Sequence, residues 1–359
     1  MKRNMALCAA AITAVGAAGV ARGQYLMVPD STNDVIVLLN ASDGSVVNPT
    51  FIADDNGVTF NFSTPKDVQQ VGNEIWVADQ VADAIFCFSA SLTPSYIRTI
   101  SGGMNNIRGM GQVGSTVFVA NSQAGNGATG PSAVMFTLDG TPAGSFVTPD
   151  PFDCTEFNGK VLVTDIDGYD LLVYNVDGSF DSTFHASDGV SGIDFPQQVI
   201  VENTGAAGAQ EVWCAGFTSP SGIYRYDAAG AQVGYWSVGA SRGVAMLGNG
   251  QVLFTSNNSV LTFDPAVGTA TPIHTAGAMQ FIGRLTLGGG PTCDSIDFNN
   301  DGLFPDTQDI DDFLSVFSGG TCSNDPSCGD IDYNNDGLFP DTLDIDALLS
   351  VFSGGPCLV

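Results

Sequence analysis

Between residues 25 and 287 short apolar runs recur in nearly the same form: YLMVPD, EIWVAD, TVFVAN, KVLVTD, EVWCAG and QVLFTS. Their last residues, Asp30, Asp79, Asn121, Asp165, Gly216 and Ser256, are spaced by 49, 42, 44, 51 and 40. Runs this short, rich in Val and bounded by Gly, Asn and Asp, predict strands rather than helices. A period of about 40–50 residues holding several such strands predicts one propeller blade per repeat, and six copies predict six blades. Within a repeat the order is an opening strand such as PKDVQQV, a glycine turn, the IWVAD strand, AIFCF, and a last strand near SYIRTI. The other opening strands are IRGMGQV, PFDCTEF, PQQVIVE and SRGVAML. None precedes Tyr25, and FIGRLTL at residues 281–287 fits the gap, so the ring is expected to close by joining its two ends in one blade. Closure removes the edges of an open sheet.

Beyond residue 290 the apolar spacing changes from that of strands to that of helices. Ile310, Phe313, Leu314 and Phe317, and again Ile345, Leu348, Leu349 and Phe352, fall at i, i+3, i+4, i+7, which predicts one buried helical stripe in each of two copies. Each stripe ends at Gly-Gly, where a helix can terminate. A single short helix cannot bury its stripe alone, so the two copies are expected to pack on each other.

Composition and charge narrow the picture. The chain has 38 acidic and ten basic residues, a formal net charge of −28, and after Arg284 it holds fourteen aspartates and no Lys or Arg. Such a surface repels nucleic acid and anionic lipid and attracts cations. The start, MKRNMALCAAAITAVGAAGVARGQ, has two early basic residues, an apolar stretch over residues 5–20 and a small-x-small exit, and reads as a signal peptide over residues 1–23. No later run approaches the roughly 18 apolar residues of a membrane span. The expectation is a protein that is secreted or held at the cell surface.

Each C-terminal copy opens with Asp-x-Asn-x-Asp-Gly: Asp297, Asn299, Asp301 and Gly302, then Asp332, Asn334, Asp336 and Gly337. Calcium takes six to eight oxygens, and alternate side chains of a tight loop supply them when a glycine makes the turn at the sixth position. The seventh position gives a backbone carbonyl, so Leu303 and Leu338 can be apolar. Closing ligands are expected from Asp309 and Asp344 at the start of the helices, with Asp306 and Asp341 as competitors. Residues 294–355 thereby resemble a dockerin, the duplicated calcium-loop-and-helix module of secreted bacterial proteins. The resemblance implies two calcium ions, a cohesin-like or cell-surface partner protein and a polysaccharide-associated setting. Each loop is one residue longer than usual between glycine and closing aspartate, and the helices lack the basic residues that commonly touch a cohesin.

Cys293 and Cys322 are 29 residues apart, as are Cys328 and Cys357. Repeat symmetry favours the pairs Cys293–Cys322 and Cys328–Cys357, with Cys322–Cys328 plus Cys293–Cys357 as the second arrangement. Cys87, Cys154 and Cys214 fall in predicted strands and are expected as buried thiols at blade interfaces. Trp76 and Trp213, at equivalent places in second strands, read as blade packing.

Residues 24–290 resemble the NHL-type propeller, best over residues 65–88. That likeness bears on fold, since propellers host lactonases, lyases and binding platforms alike. The two histidines, His185 and His274, fall on outermost strands and form no metal pair. Asp67, Asp153, Glu156 and Asn203 are candidates for a metal-holding channel mouth, without an arrangement that singles them out, and no catalytic residue is assigned. Lys66, Arg108 and Arg242 share one place at the start of an inner strand, with Arg284 one residue off it. They either ring a channel mouth as a seat for a carboxylate or sulfate, or mark an exposed position that tolerates long side chains, and the second is favoured. The expected molecule is mainly β, a six-bladed propeller with a small α-helical dockerin-like calcium domain over residues 291–359. Its expected role is non-catalytic recognition or structure, with an extracellular glycan or organic acid as ligand. The alternative is a lactonase-like or lyase-like carbohydrate-active enzyme.

Overall fold

The computed structural model describes residues 25–287, 293–303, 306–324, 328–333 and 342–353, with the side chains of Ala207 and Leu343 also left aside. The chain divides into two compact units, one ending at Leu285 and one beginning at Thr286.

The first unit is a six-bladed propeller of four-stranded antiparallel sheets. Five blades are continuous in sequence, with inner strands Pro65–Val71, Ile107–Val113, Pro151–Phe157, Pro196–Glu202 and Ser241–Met246. The sixth joins the two ends of the unit, as the missing opening strand predicts: Gly283–Leu285 pairs with Tyr25–Asp30. The second strands are the most apolar stretches because blades cover both their faces. Glu74–Asp79, Thr116–Asn121 and Lys160–Asp165 are each buried at every position but the first. Such strands read as continuous hydrophobic runs rather than alternating ones. The apolar clusters straddle neighbouring blades; Trp76, Cys87, Met110 and Phe136 share one, Trp213, Phe254 and Phe263 another. The three thiols Cys87, Cys154 and Cys214 are free and buried, and the two tryptophans are fully enclosed, as expected of packing residues.

The Asp that closes several of the second strands has a structural task. Asp79 is fully buried and accepts from the backbone N–H groups of Ser63, Thr64, Val81 and Ala82, fixing both the loop that enters the blade and the turn that follows. Asp30 does the same with Thr32, Asn33 and Gly277. A recurring Asp at this place is what a buried turn with unpaired N–H groups requires.

The second unit holds helices α1 (Thr307–Phe317) and α2 (Thr342–Phe352) around one shared core of Phe298, Phe313, Tyr333, Ala347 and Leu348. Phe298 and Tyr333 occupy equivalent places in the two copies and both sit edge-on to partner rings, Phe313 lying 5.2 Å from one and 5.9 Å from the other. The copies do pack on each other. The buried stripe, however, is rotated by one residue from the expected one. Asp309, Asp312 and Phe313 are buried on α1 and Asp344, Ala347 and Leu348 on α2, whereas Leu314 is 42% and Leu349 46% exposed. On α1 Asp312 turns inward to accept from Asn299 Nδ2 at 3.1 Å and from the Ser323 N–H at 2.8 Å, a pairing that holds this helix about its axis. On α2 the equivalent place is taken by the small apolar Ala347, which is buried without such bonds. The first expected disulfide pairing is also corrected. Cys322 bonds Cys328, and Cys293 is disulfide-bonded as well, with Cys357 outside the described residues.

Candidate functional site

Five inner strands shift register at the same place, between Pro65 and Asp67, Ile107 and Met110, Pro151 and Cys154, Pro196 and Val199, and Ser241 and Val244. A bulge turns two successive side chains toward one side and leaves backbone groups without ladder partners. The freed N–H groups of Val68, Met110, Val199, Val244 and Ile282 are taken up by three side chains. Asp67 accepts from Val68 and Met110, Asp153 Oδ2 from Val199, and Gln198 from Val244 and Ile282, while Asp153 Oδ1 has no partner. Each of these links two neighbouring blades. Glycines alternate with them: a Cβ on Gly109 would lie 2.0 Å from Asp153 Oδ1, and one on Gly243 would lie 2.7 Å from the Gln280 carbonyl. This layer closes the channel.

The layer is dry. Asp67 and Asp153 are 0% and 2% exposed. Burial pushes the Asp67 carboxyl up to about 7 against its two backbone hydrogen bonds. Burial, then the neighbouring Asp67, pushes Asp153 well above the ordinary carboxylate range. Of the four candidates for a metal-holding mouth, these two act as clamps between blades. Glu156 is exposed at the other end of its strand and lines, with Asp153, Glu202 and Arg284, a cavity of about 280 Å³. Asn203 is exposed beyond that strand's neighbour, and the four do not converge. His185 and His274 lie on outermost strands, His185 Nδ1 within 2.9 Å of the Gly230 carbonyl.

On the strand-opening side of the layer the residues at the bulge are Lys66, Arg108, Phe152, Gln197 and Arg242, with Gln280 in the blade that closes the ring. Here the structure brings the three predicted cations together, and it overturns the favoured reading of an exposed, tolerant position. Lys66 is 3% and Arg108 7% exposed. Lys66 Nζ donates to Gln280 Oε1 at 2.8 Å and lies 5.0 and 5.1 Å from the ring centres of Phe152 and Phe281. Arg108 lies 4.3 Å over Phe152, pairs with Asp150 at 3.0 Å and donates to Ser122 Oγ at 2.8 Å. Arg242 is stacked 4.3 Å over Phe217. Burial, then Arg242 and Arg108, pushes the Lys66 amine well below its ordinary value. Phe195 connects the rings, 5.4 Å from Phe152 and 6.1 Å from Phe217, and holds φ +53°, a left-handed conformation that a bulky side chain rarely adopts. Gln197 is fully buried with neither amide atom hydrogen-bonded. The aromatic arc and Gln197 escaped the sequence reading. Their one legible sign was the pair of residues after each strand opening: KD, RG, FD, QQ and RG.

In the C-terminal unit the first loop is tightly turned. Asp297 accepts from the N–H groups of Asp301 and Gly302, both at 3.0 Å, and Asp301 from Leu303 at 2.8 Å. Of the two competing ligands, Asp306 is the N-cap of α1, accepting from Gln308 and Asp309, while Asp309 is fully buried with Oδ1 unpartnered. Among the described residues no three carboxylate, imidazole or thiol groups converge as a metal cluster. The donor set is nonetheless all oxygen, and the orphaned Asp309 Oδ1 fits a hard cation's needs. Of the second copy, Asp332 and Asp344 are described, Asp344 fully buried; Asn334, Asp336, Leu338 and Asp341 lie outside the described residues.

Among the described residues no helix is long and apolar enough to cross a membrane. No family model and no curated protein matches the chain. Solved propellers do: a chain of a nidogen/laminin complex, 14% identical with TM-score 0.55, and a putative 6-phosphogluconolactonase from Bacteroides fragilis, 13% identical with TM-score 0.50, each match covering 73% of this chain and 98% of the other.

Proposed function

We propose that this is a secreted calcium-binding protein in which a non-catalytic propeller serves recognition or structure and a dockerin-like C-terminal unit attaches it to a cohesin-like or cell-surface partner. The observation that carries the non-catalytic reading is the channel layer. Asp67, one of the carboxylates best placed to hold a metal or act as a base, has both oxygens on backbone N–H groups and is fully buried, and Asp153, which borders the cavity, is 2% exposed with Oδ2 on the Val199 N–H. A general base must reach its substrate's proton, and so little exposure opposes that. The propeller's NHL type rests on the pattern of residues 65–88. Calcium rests on the two Asp-x-Asn-x-Asp-Gly loops and on the orphaned oxygen of Asp309.

In the first loop Asp297, Asn299, Asp301, the Leu303 carbonyl and Asp309 would hold the ion, and by repetition Asp332, Asn334, Asp336, Leu338 and Asp344 a second. A bound ion would neutralise loops that have no basic residue nearby in sequence. The chain's own part is to hold the oxygens: Asp306 caps α1 and thereby places Asp309 at the loop's end. Isothermal titration of the full chain with calcium is the test. Two ions per chain are expected, one in Asp297→Ala and none in Asp297→Ala with Asp332→Ala; a chain that takes up no calcium would refute the reading.

A further inference from the structure

Seven basic residues lie in the described propeller, and five are paired with carboxylates: Arg98 with Glu74, Arg108 with Asp150, Lys160 with Asp181, Arg225 with Glu211 and Arg284 with Glu202. The two left over, Lys66 and Arg242, stand at the same channel mouth. In a chain with 38 acidic residues a carboxylate partner is the easiest thing to supply. Two cations left without one, beside a third, mark a place kept positive. Arg242 is the accessible member: it is half-buried, and its guanidinium, lying over Phe217, makes no hydrogen bond or ion pair among the described residues.

The surroundings add shape. Phe195 and Phe217 are half-buried at the rim beside Arg242, and Phe152 and Phe281 lie deeper, under Lys66. Phe195 holds its strained backbone at this mouth. The buried Gln197, one bulge position from Arg242, has an unused amide. We propose that the strand-opening mouth of the propeller channel binds a small organic acid whose carboxylate pairs with Arg242 and whose flat ring lies on Phe195. A guanidinium packed on a ring and engaged by no hydrogen bond keeps its donor fork for a carboxylate, which it can take bidentately. Lys66 and Arg108 lie behind it and supply field rather than contact. A pyranose face and an aromatic ring both stack on phenyl groups, so a uronate and a benzoate share the required chemistry. The inference rests on the reading of the propeller as a recognition module.

Calorimetric titration of the full chain at low salt with sodium D-galacturonate, sodium benzoate and galactose tests it, with Arg242→Gln and Lys66→Met as variants. One or both acids should bind and galactose should not; which acid binds tells the sugar source from the aromatic one. Arg242→Gln should weaken binding by about tenfold or more with little change in melting temperature, since only the packing on Phe217 is lost and no hydrogen bond or ion pair among the described residues. Lys66→Met should weaken binding severalfold while the melting temperature holds or rises, because an unpaired buried amine is removed. Galactose binding as well as the acids, no binding of either acid, or acid binding unchanged in Arg242→Gln would overturn the site. Hydrolysis of glucono-δ-lactone by the wild type, lost in Arg242→Gln, would instead overturn the recognition reading while leaving Arg242 at the site.

Discussion

Asp67 in the propeller and Asp309 in the C-terminal unit are both fully shielded from solvent, yet they are satisfied differently. Asp67 has both oxygens on backbone N–H groups of neighbouring blades; Asp309 has one on the Asp306 N–H and the other on nothing. The propeller's channel layer obtains most of its donors from its own bulged strands, while Asp153 Oδ1 and the Gln197 amide are left unpartnered. The C-terminal unit has more acceptors than donors, since fourteen aspartates there face no basic residue in the same stretch. Buried acceptors without donors cost about 1–3 kcal/mol each, and a cation is the simplest remedy. Asp67 is closed by hydrogen bonds, whereas Asp309 keeps a buried oxygen open.

Glycines break this comparison most strongly, because the two regions use them for different reasons. Gly109 is required by space: a Cβ would meet Asp153 Oδ1 at 2.0 Å and Asp153 Cα at 2.9 Å, and neither the clamp nor the backbone can give way. Gly302 has nothing within 4 Å of its Cβ position and is required by its φ of +82°. Denaturant unfolding should show Gly109→Ala costing about 3 kcal/mol in the propeller transition. Gly302→Ala should cost about 1 kcal/mol, and only in the C-terminal transition. Equal and small effects would mean that the channel layer is loosely packed and Asp153 free to move.

Acid should then separate the regions further. Between its ordinary 3.8 and about 7, folded Asp67 keeps a proton that the unfolded chain has released. Folding takes up protons in that window, so propeller stability falls as pH rises from about 4 to about 7, and Asp153 acts in the same direction. A fall of several degrees in the propeller's melting temperature is expected across it, on the order of 5 °C. Asp67→Asn should flatten the slope in part, leaving that of Asp153. With calcium present the C-terminal unit should respond the opposite way, since its ligands must be deprotonated to hold an ion. Two transitions shifting together with pH would remove the distinction.

Much of this was legible before any coordinates. The blade count, the closing strand at Gly283–Leu285, the outermost histidines and the buried thiols follow from periodicity, because blade interfaces impose apolar residues at fixed intervals. The three cations were visible as one repeat position, but their burial was not. Burial there follows from Phe152, Phe195, Phe217 and Phe281, of which only Phe152 shares the repeat position of the cations, the others coming from strand ends with no common spacing. The role of Asp67 and Asp153 was hidden for a similar reason: a bulge leaves no mark in an apolar pattern, and the N–H groups they serve belong partly to the next blade. Repeat symmetry ranks the Cys322–Cys328 disulfide only in the second arrangement, because it describes each copy alone, whereas these two cysteines lie at the junction between copies.

The rotated helical stripe gives the finest contrast, between neighbouring residues on one helix. An apolar pattern alone puts Phe313 and Leu314 on the same buried face, and with Asp312 turned inward to Asn299 and Ser323 only Phe313 remains enclosed. Phe313→Ala should therefore cost about 3–5 kcal/mol in the C-terminal transition, a cavity in a core shared with Phe298 and Tyr333. Leu314→Ser should change it by less than about 0.5 kcal/mol, as a surface substitution does. Thermal denaturation of the full chain, followed by a probe of the C-terminal unit, distinguishes the two. A loss at Leu314 as large as at Phe313 would return the helix to the orientation its apolar residues alone predict. Asp312 would then face solvent, and its bonds to Asn299 and Ser323 would no longer be what sets the helix about its axis.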